Sequence, residues 1–547
     1  MKITKITAIL TACVLVLTGC ATPGTEQTPA TTLPAETYPA PTAPACPEAT
    51  QILLSDSGIT ADGAAVTGDS AASLYTANDI VYYEAGKDFT YGEGEQKDAH
   101  SAEEAAAHTV LHIQKAGAYR ISGKLSLGQI AVDLGKDAKS DPQAVVTLIL
   151  DGVDITCQVA PAVIFYNVYE CGSDDAEAAV KDVDTSAAGA NVILADGSVN
   201  QVTGAYVAKI YAPDTVVLNG DKTAVEDAKK LHKYDGAFYS RRSMNLYGEQ
   251  ENTGVLNIRA ANEGLDSELH LTVNGGNINI VSGNDGINTN EDNVSVTTIN
   301  GGNLTIRVSG ETGEGDGIDS NGWLVINGGN VTASACGTSA DAGIDSDKGI
   351  HINGGRVLAT GSMLDRIEAG GQTYAVFSFA TRQKGGETVK LVDPEGKTLL
   401  EAAPENAYTT LIYSSPLLTE GSYTLWSNDR QMAGRSGGNL GFGGMGGGMG
   451  QRPEGMQRPE GQEPPEGMQP PEGMQLPEGM QPPEGQERPE RPERPEGGPW
   501  GNPGEGFGGG KGNGWGTADL ETSPEFPIVA GGNQFGGIVP YTEAAET

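Results

Sequence analysis

The sequence predicts an all-β fold: a parallel β-helix, or solenoid, with a small C-terminal β cap and disordered tails. Three observations predict it. Asn-Gly-Gly recurs at 274–276, 300–302, 327–329 and 353–355, at intervals of 26, 27 and 26 residues. An acidic motif alternates with it: Glu263-Gly264-Leu265-Asp266, Asp285-Gly286-Ile287-Asn288, Asp316-Gly317-Ile318-Asp319 and Gly343-Ile344-Asp345, with Asp341 two residues before Gly343. A looser copy is Asp235-Gly236-Ala237. Thirdly, the flanks alternate apolar and polar with β-branched residues, as in Leu271-Thr272-Val273 and Ile278-Asn279-Ile280, which is the period-two signature of strands.

Such short strands bury no face alone. Stacked coil on coil, ~4.8 Å apart, they enclose a shared aliphatic interior. Leu265, Ile287, Ile318 and Ile344 then form one inward row, and Ile278, Leu304, Val331 and Val357 another. A leucine-rich horseshoe is the rival repeat, but no unit carries a helix-forming half. In each Asn-Gly-Gly turn, Gly supplies positive φ and Asn bonds locally or to the next coil.

The other segments follow in order. Residues 1–19 read as a lipoprotein signal: Lys2 and Lys5, an apolar stretch from Ile9 to Leu17, then Leu17-Thr18-Gly19-Cys20, which resembles a lipobox with Cys20 as the acylated residue. Residues 20–50 are a Thr/Pro/Ala-rich spacer. Residues 51–104 form an irregular N-terminal segment. Residues 105–362 hold the coils, looser before 235, with loop insertions at 172–189 and 220–233 and a short helix expected at 222–232. Residues 363–430 lose the repeat and read as a β module that covers the last edge. From 431 to 516 the chain is Gly/Met-rich and then repeats Pro-Glu-Gly with Pro at 453, 459, 465, 471, 477 and 483, which is read as disordered. Residues 517–547 contain an apolar run, 526–537, expected to dock back as a strand. Cys157 and Cys171 are close enough in sequence to pair, though spacing alone does not decide it.

The chain has 547 residues, 34 Lys+Arg against 72 Asp+Glu, and a net charge of −38. That balance argues against nucleic acid and favours cations. The 78 glycines follow no triplet period, which excludes collagen.

Stacking has an electrostatic consequence. It sets Asp235, Glu263, Asp285, Asp316 and Asp341 in one column, and Asp266, Asn288, Asp319 and Asp345 in another. Carboxylates ~5 Å apart repel by roughly 3 kcal/mol at an effective dielectric of 20. Protonation, solvent and backbone N–H groups, or a bound cation can offset this. The ligands are hard oxygens, which select Ca²⁺ over Zn²⁺. The expected metal ligands are Glu263, Asp266, Asp285, Asn288, Asp316, Asp319, Asp341 and Asp345.

With Gly123, Val145–Ile155, Asp235-Gly236-Ala237, the repeats to Gly361 and Ser414-Ser415-Pro416, residues 105–430 resemble the clostridial-type bacterial carbohydrate-binding β-helix family. The resemblance implies a right-handed, pectate-lyase-like β-helix that binds calcium. It also implies binding of cellulose and acidic pectic polysaccharide such as polygalacturonate. Asn288 and Ala342 depart from the strict acidic pattern. Candidate sugar contacts are Trp323, Tyr239, Lys348 and Arg356. The expected protein is a monomeric, lipid-anchored polysaccharide binder on the extracellular face of the membrane. Two alternatives stand beside it. One is a calcium-dependent lyase with Arg307, Lys348, Arg356 or His351 as the base, although no repeat position pairs a base with the acids. The other is a structural adhesin whose partner is a protein or the cell wall.

Overall fold

A computed structural model describes residues 41–46, 48–437 and 522–542. The signal segment, Cys20, most of the spacer and the Pro-Glu-Gly region lie outside the described residues.

The described chain is mostly β, with one long, largely parallel 25-stranded sheet and a second of eight strands. Its strands fall into three ladders. The first begins at 50–54 and climbs through 117–125, 146–156, 190–194, 244–248, 271–273, 296–299 and 323–326 to 349–352, parallel throughout. The second runs from 153–156 through 199–204, 255–260, 277–282, 303–308 and 330–334 to 356–361. The third includes 128–133, 163–167, 236–240, 263–267, 287–289 and 318–320. From 244 onward the chain visits first, second and third ladders in turn and then starts again one coil higher. That cycle is consistent with a β-helix-like fold. Ordered strand starts at Thr50, well before the expected first coil.

The core is built from the alternation. In the second ladder Leu256, Ile278, Leu304, Val331 and Val357 pair in register. In the third, Phe238, Leu265, Ile287 and Ile318 do the same. All are buried, as is Ile344. Each such side chain contributes ~1.5–3 kcal/mol of burial.

Gly and Asn set the coil pitch. The second Gly of each Asn-Gly-Gly has positive φ, from +79° at Gly329 to +89° at Gly276. A Cβ on Gly302 would sit 2.6 Å from the Gly276 carbonyl oxygen, so only Gly permits the close stack. Beside it run two chains of side-chain amides. Asn353, Asn327 and Asn300 each donate Nδ2–H to the Asn one coil earlier, ending at Asn274, at 2.8–2.9 Å. Asn330 and Asn303 do likewise towards Asn277, at 2.8 and 2.7 Å.

Two expectations need correction, and one open question is answered. Residues 222–232 are not helical: 225–227 and 230–234 are strands, pairing antiparallel with 217–218 and 207–211. Those tertiary pairings override the local helix propensity. Cys157 and Cys171 are free thiols, with Cys157 buried in the core. Residues 431–436, assigned to the low-complexity region, belong to strand 430–436.

That strand completes the cap. Strand 408–414 pairs antiparallel with 356–361, the last coil of the second ladder, and with 374–383. Strands 526–528 and 532–540 join the same cap, the latter parallel to 374–383 and antiparallel to 430–436. Phe377, Phe526 and Phe535 pack at ring-centroid distances of 5.1–5.5 Å, the contacts that make this β module a second core.

Candidate metal centre

The third ladder places the acids. Asp266, Asn288 and Asp319 share one row. The copy at Asp235 is one residue out of phase: Phe238 faces Leu265 and Tyr239 faces Asp266. Tyr239 therefore occupies the row below Asp266.

Despite that slip, Asp235 meets Glu263 and Asp266, with one ligand atom of each within 4.8 Å of the others. Glu263 is 4% exposed and Asp266 fully buried. Asn290 Nδ2 donates to Asp266 Oδ1 at 2.6 Å, and Asn288 Nδ2 to Glu263 Oε1 at 3.0 Å. Three buried oxygens are left without a hydrogen-bond partner: Glu263 Oε2, Asp266 Oδ2 and Asn288 Oδ1. Unpaired buried acceptors are costly, and three at one place match the donor set of a hard cation. One cation is already present. Lys233 Nζ, from strand 230–234, lies 2.9 Å from Asp235 Oδ2. Burial first, then the Asp266 and Asp235 carboxylates, pushes the Glu263 carboxyl well above its usual range. Burial and Asp235 do the same to Asp266.

A second cluster lies higher in the stack, where Asp316, Asp319 and Asp345 approach within the same 4.8 Å. It is half-buried. Burial and neighbouring carboxylates push Asp316 up to about 9, Asp319 to about 6 and Asp345 to about 7. Asp347 and Asp365 add to the negative field on Asp319.

The remaining acids do structural work. Asp285 Oδ1 accepts the Asp316 N–H at 2.6 Å, and Asp316 Oδ1 the Ala342 N–H at 2.5 Å. Asp341 Oδ2 accepts the Gly315 N–H at 2.6 Å. These bonds tie the turn of one coil to the next. Burial still raises the Asp285 carboxyl well above its usual range.

The candidate sugar contacts separate. Lys348 Nζ sits 4.4 Å over the Trp323 ring, and both side chains are half-buried. Arg356 lies over Tyr413, 5.9 Å from its ring centroid. Tyr239 is only 2% exposed. It packs against Tyr234 at 5.0 Å and donates to Glu268 Oε1 at 2.8 Å, so no ring face is free to stack on a sugar. Among the candidate bases, Arg307 is tied to Glu405 at 2.9 Å. His351 is half-buried, and burial lowers its pKa.

Sequence reasoning missed Lys233, Asn290 and Asp365. Lys233 fell at the end of an expected loop insertion, and only its position two residues before Asp235 hinted at the contact. Asn290 and Asp365 lie outside the repeated motif.

Residues 107–375 match a protein family described as carbohydrate-binding domain-containing protein. That stretch contains both acidic clusters and most of the three ladders. The solved structure of the polysaccharide lyase-like protein from C. thermocellum, as a gadolinium derivative, is similar over 56% of this chain and 89% of that one, at 20% identity and a TM-score of 0.33. No curated protein matches the chain.

Proposed function

We propose that this protein is a surface lipoprotein that binds plant cell-wall polysaccharide, pectate or cellulose, in a calcium-dependent way through a right-handed parallel β-helix. The observation that carries the reading is the Asp235, Glu263 and Asp266 cluster, with its three unpartnered buried oxygens, inside the stretch matched by the carbohydrate-binding family. Asp235, Glu263, Asp266 and Asn288 would hold one calcium ion, and Asp316, Asp319 and Asp345 another. When bound, calcium would supply the positive charge that neutralises the columns and so holds the stacked coils that present the binding surface. The protein's own groups do the rest. Asn290 and Asn288 fix the carboxylate orientations, and the hairpin over Tyr239 excludes water. A lipid on Cys20, exposed by removal of 1–19, would hold the molecule on the outer face of the membrane, and 20–50 would act as its spacer.

The test is retention of the purified protein on insoluble pectate and on cellulose, each with millimolar calcium and with chelator. Calcium-dependent retention without loss of polymer is expected. No retention on either polymer under either condition overturns the reading. Release of unsaturated oligosaccharide would replace binding with lyase chemistry.

A further inference from the structure

The three ladders present three outward faces, and other segments of the chain cover parts of two of them. On the first, Thr185 of the 172–189 segment bonds Asn245 Oδ1 at 2.7 Å and Thr272 Oγ1 at 2.8 Å. Lower on that face, Ala43, Cys46 and Ala49 pack over Ile149, Ile193 and Tyr247. On the third, strand 230–234 covers Tyr239, and Lys230 binds Glu268 at 3.0 Å. On the outward face of the second ladder, the cap reaches only the far end of strand 303–308, where Glu405 holds Arg307 and Asn406 donates to the Val308 carbonyl.

This bare face has an order of its own. Gln201, Asn257, Asn279, Thr305 and Thr332 pair in register on five successive coils. All five are exposed or half-exposed, while the residues between them point into the core. The side chains are amides and hydroxyls, each able to donate and accept. Asn279 Nδ2 already bonds Asn257 Oδ1 at 2.9 Å, which holds part of the row in one conformation. In a chain of net charge −38, none of the outward positions on strands 199–204, 255–260, 277–282, 303–308 and 330–334 is acidic, and two are Arg259 and Arg307. The strip is closed off by charge: the Lys124–Asp154 pair at 2.7 Å lies beside its lower end, and Glu405 of the cap holds Arg307.

We infer that this acid-free strip of the second ladder is the docking face for one extended strand of an acidic, linear glycan. The inference rests on the polysaccharide reading above and adds where the polymer lies. A linear polymer offers the same hydroxyls at a fixed repeat. A row of like side chains ~4.8 Å apart meets it as many weak, simultaneous contacts, which sum by avidity. Charge complementarity selects the face, because a uronate chain is repelled elsewhere on the protein and meets Arg259 here.

The experiment uses the full chain and the Asn257→Asp/Thr305→Asp variant, whose two positions are separated by the coil of Asn279, with Asn257→Gln/Thr305→Ser as the conservative control. Retention on insoluble pectate and on cellulose, each in calcium, is measured beside the melting temperature with and without calcium. The acidic variant is expected to lose at least tenfold in retention. Its melting temperature and its calcium-induced shift should stay close to those of the parent, since both side chains face outward and the two new carboxylates are two coils apart. The control should bind like the parent. Equal retention of parent and acidic variant overturns the face while leaving polysaccharide binding intact. A loss confined to cellulose overturns the acidic ligand. Absence of retention by the parent itself overturns both the face and the function it rests on.

Discussion

The two acidic clusters come from one motif, yet they solve the same electrostatic problem differently. At Asp235, Glu263 and Asp266 the strands 207–211 and 230–234 fold over the coils, bury the carboxylates and deliver Lys233 as an internal counter-ion. At Asp316, Asp319 and Asp345 nothing of that kind is added among the described residues, and further acids, Asp347 and Asp365, gather instead. The lesson is that a repeat specifies where charges stack, whereas an insertion decides whether the stack is neutralised from within. The lower cluster is partly balanced by the protein. The upper one depends on protons or on a cation from solution.

The comparison can be broken most severely by pH. Asp316, Asp319 and Asp345 have folded pKa values of about 9, 6 and 7, all above the usual carboxylate range. The folded state therefore holds protons that the unfolded chain releases, and stability is highest near pH 4 and falls as pH rises towards about 9. In chelator the loss should reach several kcal/mol, on the order of 1.4 kcal/mol for every tenfold by which folding tightens proton binding, read as a falling melting temperature. Calcium should flatten the profile. A flat profile in chelator would show that these carboxylates are not stacked as described.

Removing the internal cation comes next. Lys233→Met leaves Asp235 without its partner; because the Lys233 side chain is itself 40% exposed, the loss is about 1–3 kcal/mol, that of a largely buried carboxylate left without its charged donor. Denaturant unfolding in chelator should show that loss, and calcium should recover more of it than it gives the parent. An equal calcium effect in both proteins would mean Lys233 and the metal do not share the site. Asp319→Asn should act in the opposite sense. By removing one of three like charges it is expected to stabilise the calcium-free protein by about 1 kcal/mol and to weaken calcium binding measured by titration calorimetry. The smallest effect provides the control. Asn300→Ala removes the amide links to Asn274 and Asn327, at about 1 kcal/mol, and the cost should be the same with and without calcium.

Much of this was legible in the repeat. The spacing of Asn-Gly-Gly located the turns, because a positive-φ Gly is required once per coil. The alternation located the inward rows ending at Val357 and Ile344. What escaped was whatever depends on pairing across long stretches of chain. The hairpin of 207–234 has weak local strand signals, and its strands make sense only beside each other. Tyr239 stood among the candidate sugar contacts because nothing local reveals that Tyr234 lies over it, and the one-residue phase shift at Gly236 has no mark in the motif. Strand 430–436, Arg-Gln-Met-Ala-Gly-Arg-Ser, is scarcely apolar and abuts a Gly-rich run. Its partner, 532–540, is about a hundred residues further on. The acids were located as columns, but which of them bond backbone and which converge was set by turn geometry that the sequence does not encode position by position.

The cap carries a topological consequence. The chain leaves it after strand 430–436 and re-enters it before strand 532–540, and these two strands lie side by side, with Ser436 opposite Phe535 and Met432 opposite Pro540. The two described stretches of chain that meet in this sheet are therefore held to each other by strand pairing as well as by the chain between them. A single protease cut between 437 and 522 would leave two polypeptides joined by strand pairing and by the Phe377, Phe526 and Phe535 rings. They would part on a denaturing gel and travel together on a native one.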